Sequence, residues 1–228
     1  MPPPPQSAAA LDPDAPEAAP AATLAEQRYR QICDAAVTLF AEHGYVETKI
    51  EDISNAIGTG KGLIYRYFRD KQDVLFHAIS AVQAEYKTEK FVGRRVDDEH
   101  PLDALRRMLR VHCMVAHEHT RETLLAYRST KNLSNTQRQA IKEAELEIVA
   151  AIRRRLDATI TAGLMKVPDT RVMACEFLMY GHSWALKRWA LEPAINIERY
   201  IAAGEQLLID PFLTAEGAAA ASRAAGAD

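Results

Sequence analysis

An all-α fold is predicted by three observations. Apolar residues recur at three- and four-residue spacing through most of the chain, start and stop residues fall at the ends of those periodic runs, and no alternating run bounded by turn residues indicates a sheet. About nine helices result. The first, Leu24 to His43, places Ile32, Ala35, Ala36, Leu39 and Phe40 on one face and stops at Gly44. A short helix follows from Lys49 to Ile57, then a Gly58-Thr59-Gly60 break and a second short helix from Lys61 to Tyr67. Asp70 is placed to cap a longer helix that runs from Lys71 towards Phe91.

Pro101 suits a first helical turn and opens a helix that reaches His119, with a shorter one continuing through Leu133. Ser134 is placed to cap a long helix to Gly163, and Val167-Pro168-Asp169 marks the next turn. The last two helices span Thr170 to Leu191 and Ile197 to Leu213, parted by Glu192-Pro193. Residues 1–22 are mostly Pro and Ala with acidic spacers, too poor in large apolar groups to offset the entropy of ordering, and read as a disordered arm. The Ala-rich stretch over 214–228 is expected to fray. Residues 23–70 form one unit and 71–213 a second on this reading.

Composition excludes some classes. The 228 residues are 48% hydrophobic and 26% charged, ordinary for a globular chain. The longest uncharged stretch, around Met173 to Leu186, is broken by Glu176 and His182 and falls short of the roughly 18–20 apolar residues of a membrane span. The N-terminus lacks the basic and apolar regions of a signal peptide, so a cytoplasmic location is expected. Cys33, Cys113 and Cys175 stand singly and are expected to be free thiols. Net charge is −3, so global charge does not favour nucleic-acid binding. The sign changes locally: Lys61, Arg66, Arg69 and Lys71 face only Asp70 across residues 60–71.

The segment ETKIEDISNAIGTGKGLIYRYFRDKQDVL carries most of the functional information. Ile50, Ile53 and Ile57 form a seam on its first short helix, and Leu63, Ile64, Tyr67 and Phe68 supply facing contacts. Helices this short are marginal alone, so they must clamp on the first helix through Leu39 and Phe40. A helix-turn-helix over Ile50 to Phe68 results, able to place its second helix in a major groove. Gly44-Tyr45, Thr48, Ile50/Ile53, Gly58, Lys61-Gly62, Tyr65-x-Tyr67-Phe68 and Lys71 together resemble the N-terminal region of TetR/AcrR transcriptional regulators, over about 50 residues. That resemblance implies a nine-helix subunit, a homodimer, a variable ligand cavity in the C-terminal part, and no catalysis. Gly60 stands where the family usually has Ser or Thr, and Leu63 where it often has Thr, so operator sequence does not carry over.

Residue roles follow from chemistry. Arg66 suits a bidentate contact to guanine, and Tyr65 a phosphate or a thymine methyl. Thr48, Lys49, Lys61 and Lys71 suit phosphate, Tyr67 stands between core and phosphate, and Thr59 offers an oxygen to cap the helix that Gly60 begins.

The C-terminal part holds polar groups on apolar stripes. Two histidines, His112 and His119, share a face with Leu105 and Leu109; Cys113 and His117 sit one turn apart; and His182 falls between Leu178 and Trp189. Two readings stand open beside that of satisfied core histidines. One is a metal site around His112, His117 and His182, whose full ligand set is not visible. The other is a small-molecule cavity served by His112, Tyr127, Arg128, Tyr180, His182 and Trp184. AYRSTKNLS and WALKRWALEP are similar to parts of TetR-type regulators that sense acyl-CoA thioesters, which implies an acyl-CoA or related carboxylate effector, with Arg128, Lys131, Lys187 and Arg188 available to phosphates. No cofactor is required on this reading. The family's helix pairing implies a homodimer through residues 170–213, an inverted-repeat operator on double-stranded DNA, and repression relieved by the effector. A helical-bundle enzyme is the rival class, yet no GxSxG, P-loop, dinucleotide or paired ExxH motif is present.

Overall fold

The computed structural model describes residues 23–86, 88, 91 and 99–225. The expected N-terminal arm lies outside the described residues, as does most of the continuation of the fourth helix towards Phe91. Among the described residues ten α-helices are present, and β pairing is confined to an isolated bridge between Met165 and Leu213. In order they are α1 (Leu24–His43), α2 (Ile50–Ala56), α3 (Lys61–Ile64), α4 (Lys71–Glu85), α5 (Pro101–Glu118), α6 (Thr120–Ser129), α7 (Asn135–Thr161), α8 (Thr170–Leu191), α9 (Ile197–Leu208) and α10 (Ala215–Ala225).

Local chemistry sets the helix ends. Thr23 and Glu26 form a reciprocal capping box at α1, and Ser134 and Gln137 form one at α7. Asp70 accepts from the Asp73 N–H at 2.8 Å and starts α4, while Asn196 accepts from the Arg199 N–H at 2.9 Å and starts α9. At the close of α1, Gly44 has φ +83°, a value that a side chain resists.

Two apolar cores result. The first joins α1, α2, α3 and the front of α4 through Ile32, Phe40, Ile53, Ile64, Phe68, Val74 and Leu75. It also takes in Leu125 of α6, Leu133 just ahead of α7, and Ile141 of α7. The second lies among α5, α7, α8 and α9, around Leu105, Leu109, Ile152, Phe177 and Trp184. Val82 of α4 and Tyr86 at its end belong to this second core, whereas Val74, Leu75, Ala78 and Ile79 belong to the first. The expected boundary at residue 70 is therefore a change of helix and not a division of packing.

The C-terminal stretch expected to fray instead forms α10 as far as Ala225, and residues 226–228 lie outside the described residues. Thr214 explains it. Its hydroxyl donates to the Gly163 carbonyl at 2.7 Å and accepts from the Gly217 N–H at 3.1 Å, and Gly217 packs so tightly on the Leu164 backbone that a Cβ would collide. Alanine's high helix propensity then propagates the helix.

Candidate functional site

The first site is built on α2, the turn after it and α3. Ile50, Ile53, Ile64 and Phe68 are buried, while Leu63 and Tyr67 are half-buried at the edge of the same core. The connection turns through Gly58 at φ +66°, and the Thr59 N–H donates to the Ser54 carbonyl at 2.9 Å. The helix proper ends at Ile64, earlier than the expected Tyr67. Hydrogen-bonded turns carry the chain on, with the Tyr67 and Phe68 N–H groups both donating to the Ile64 carbonyl at 2.9 Å.

Tyr65, 53% exposed, and Arg66 project outward from this unit, and the Arg66 guanidinium has no hydrogen-bond or ion-pair partner among the described residues. Lys61 and Lys49 are exposed as well. Lys61 pairs with Glu51 at 2.9 Å, an exposed bridge that ligand phosphate can displace at little cost. The Lys49 backbone N–H donates to Asp52 Oδ2 at 2.8 Å, and its exposed ammonium makes no hydrogen bond or ion pair among the described residues.

Three expectations are corrected here. Thr48 is 1% exposed, and its hydroxyl donates to the Gly44 carbonyl at 2.8 Å, so it fastens the end of α1 and does not offer itself to phosphate. Lys71 donates to the carbonyls of Tyr45, Val46 and Thr48 at 2.8, 3.1 and 2.8 Å and lies 4.5 Å from the centre of the Tyr45 ring. All three ammonium donors are thereby engaged in holding the loop before α2. Thr59 directs its hydroxyl at the Ser54 carbonyl, 3.5 Å away, and α3 begins at Gly60 with no side-chain cap.

The second site is a cavity of about 50 Å³ between α4, α6, α7 and α8, lined by Val82, Tyr86, Tyr127, Glu145, Ile148 and His182 among others. It shares Gln83, Tyr86 and Ile148 with a wider groove of about 360 Å³ that runs on to Arg154. Behind the cavity wall lies His112, 1% exposed, its ring 5.2 Å from Tyr86 and 5.4 Å from His182. Nε2 of His112 is 2.8 Å from the Leu178 carbonyl. The ring fits because residue 181 is glycine; a Cβ there would strike it. Burial, with His182 nearby, pushes His112 down to about 3, and burial pushes His182 down to about 4, so both imidazoles are neutral. The Tyr127 hydroxyl stands 3.0 Å from Nδ1 of His182.

His112, Tyr127 and His182 lie together, Tyr127 and His182 lining the cavity and His112 behind its wall, while the other three ligand candidates lie elsewhere. The Tyr180 ring stacks on Tyr200 at 4.4 Å, each hydroxyl donating to the other residue's carbonyl at 2.7 and 2.8 Å; it ties α8 to α9. Trp184 is fully buried, donates from Nε1 to Nδ1 of His117 at 3.0 Å, and fills the second core. Arg128 lies across α6, exposed, in a groove of about 330 Å³ with His43, Arg121 and Lys131. His117 is consequently held by Trp184 and away from His112, and no group of three ligating side chains suited to a metal occurs among the described residues. Tyr86 and Ile148 were not anticipated as lining residues. The spacing of Ile79, Val82 and Tyr86 along α4 is the signal that points to them.

No helix among the described residues is long and apolar enough to cross a membrane. Residues 32–78 match the family described as bacterial regulatory proteins, tetR family, and residues 98–189 match a tetracyclin repressor-like C-terminal domain. The chain is 35% identical over 201 residues to the HTH-type transcriptional regulator HbdR of Aromatoleum sp. (strain CIB), covering 88% of this chain and 87% of that one. Among solved structures, a transcriptional regulator of the TetR/AcrR family from Thermobifida fusca YX-ER1 superposes with a TM-score of 0.64 at 25% identity, over 81% of this chain and 97% of that one. AibR in complex with isovaleryl coenzyme A and operator DNA superposes with a TM-score of 0.68 at 22% identity, over 81% of this chain and 100% of that one.

Proposed function

Since the chain belongs to the tetR family of bacterial regulatory proteins, we propose that it is a homodimeric transcriptional repressor that reads an inverted-repeat operator and is released by a small-molecule effector, an acyl-CoA thioester. The observation that carries the DNA reading is the outward projection of Tyr65 and Arg66 from a unit whose opposite side is packed on α1. Arg66 is suited to a guanine edge and Lys49 and Lys61 to the flanking phosphates.

Dimerisation through 170–213 is supported by large apolar side chains left exposed there: Val172 at 59%, Trp189 at 78% and Leu207 at 62%. An isologous pairing of these helices sets two copies of α3 for successive major grooves. The effector reading is supported by the cavity behind α4 and by the neighbouring wider groove, which shares Gln83, Tyr86 and Ile148 with it and holds Arg154, a cation for a phosphate-bearing tail. A structural neighbour, AibR, was solved with isovaleryl coenzyme A. Coupling has a physical route, because α4 lines the cavity at Val82 and Tyr86 and carries the DNA-reading core at Val74 and Leu75. Near-complete switching requires roughly 5.5 kcal/mol of differential affinity between the two dimer geometries.

The test is retardation of the gene's own upstream DNA, titrated with and without short-chain acyl-CoA. Sequence-specific retardation that the thioester reverses is the expected result. Retardation indifferent to every acyl-CoA would remove the effector class and leave the DNA reading intact.

A further inference from the structure

We infer that the part of the effector entering the core presents a neutral hydrogen-bond donor, a hydroxyl, to Nδ1 of His112, so that the protein separates hydroxylated ligands from their deoxy counterparts. The inference rests on the effector reading above and deepens it.

Two contacts fix the state of the His112 ring. Nε2 lies 2.8 Å from the Leu178 carbonyl, and a carbonyl only accepts, so Nε2 bears the proton. Nδ1 is buried and has no hydrogen-bond partner among the described residues. A second proton there would create an unpaired cation in the core, beside the ring of His182. Nδ1 is therefore a bare lone pair shut away from water, in a ring seated directly on Gly181. Buried acceptors of this kind normally have a donor.

The surroundings indicate where the donor comes from. The His112 ring lies against Tyr86 and His182, and both of these line the cavity, so the ring stands one layer of side chains behind it and a ligand group reaches Nδ1 by moving Tyr86 or His182 aside. His182 already meets the Tyr127 hydroxyl at 3.0 Å, which leaves His112 as the histidine of the pair with an unmet acceptor. A carboxylate can only accept and would face the lone pair, so a free acid is rejected. A cationic donor has little to balance it: the Glu122 carboxylate is engaged with His119 at 3.4 Å, and burial pushes the Glu145 carboxyl towards its neutral form. A neutral hydroxyl matches what remains.

Two measurements test this. In the first, protein labelled with ¹⁵N-histidine is titrated with phenol, toluene and benzylamine, and the imidazole nitrogens are followed by NMR, with His112→Phe identifying the resonance. Phenol should move Nδ1 of His112 upfield and toluene should not. No phenol shift at saturation, an equal shift with toluene, or a shift with benzylamine alone overturns the inference. In the second, operator release is compared for 3-hydroxybutyryl-CoA and butyryl-CoA. The hydroxylated thioester should act at about tenfold lower concentration, and the ratio should fall towards one in His112→Phe. Equal potency in the native protein overturns the donor role, whereas release by neither thioester with an intact phenol shift sinks the acyl-CoA reading alone. Should His112→Phe fail to fold, the native comparison of phenol with toluene still decides.

Discussion

The Lys71 ammonium, at the first position of α4, closes on the Thr48 carbonyl at 2.8 Å, across 23 residues of chain, and on the Tyr45 carbonyl at the same distance. The bonds hold the entrance to α2 against the start of α4. Lys71→Met should therefore act on stability, lowering it by about 1.5–3 kcal/mol as charge-assisted bonds are lost. Denaturant unfolding measures this. The salt dependence of operator binding by the folded variant should keep its slope, whereas a phosphate contact at Lys71 would reduce that slope by about one.

Arg66→Ala should behave in the opposite way. Its guanidinium makes no hydrogen bond or ion pair among the described residues, so the melting temperature should stay within about a degree of the native value. Operator affinity should fall by roughly 1–3 kcal/mol, with tolerance gained at one base pair of each half-site. Binding to a set of single-base operator variants reads both effects, and unchanged affinity for all of them would contradict the role.

Gly181 and His112 occupy one another's space. Gly181→Ala should overpack the junction of α5 and α8 and cost about 1–3 kcal/mol. Adding His112→Ala should return part of that loss, because the second change removes the ring the new methyl strikes. A double-mutant cycle on unfolding free energies gives the coupling, and strict additivity would show that the two side chains do not compete.

Acidification should destabilise the fold through His112. Its folded value is about 3 against 6.5 for the free group, so the unfolded chain binds the proton first. The stability contributed is complete above about pH 6.5 and is lost as pH falls towards 3, by about 1 kcal/mol between pH 7 and 5.5. His119 opposes this trend, since the hydrogen bond to Glu122 raises it and gives stability at low pH that disappears as pH rises through its folded value. Unfolding free energies at the two pH values should therefore differ less in His112→Phe than in the native chain.

Leu207→Arg tests the proposed dimer. The side chain is 62% exposed on α9, so an isolated subunit should tolerate the charge. A paired one should not. Sedimentation should show a monomer, and operator affinity should fall by at least tenfold because only one α3 then reaches the DNA. A dimer that persists unchanged would place the interface elsewhere.

Helix boundaries were legible where side chains announce them. Gly44, and Asp169 ahead of Thr170, close α1 and open α8 at the residues the pattern indicates. His112 and His182 stand out in the sequence as polar interruptions of apolar stripes. Partners brought together by tertiary packing were not. Nothing in the spacing of Lys71 reveals that three carbonyls from residues 45–48 converge on it, and a surface cation was the natural reading. Tyr180 and Trp184 lie on the same helix as His182 but about half a turn away, and their orientation depends on Tyr200 in the next helix. The tail was misread for a related reason: its alanines bury little, but the cap at Thr214 and the close seat of Gly217 do not depend on large side chains.

The double membership of α4 bears on how such proteins can be recombined. A chimera that exchanges DNA-reading heads at Asp70 would sever Val74, Leu75, Ala78 and Ile79 from the partners they evolved against, and would leave Lys71 facing a foreign loop. Crossing over after Ile79 keeps that head whole, yet Leu125, Leu133 and Ile141 of the recipient must still accept it. Transplanting the specificity of this chain therefore means carrying over a surface on α6 and α7 as well, a patchwork graft in place of a single splice.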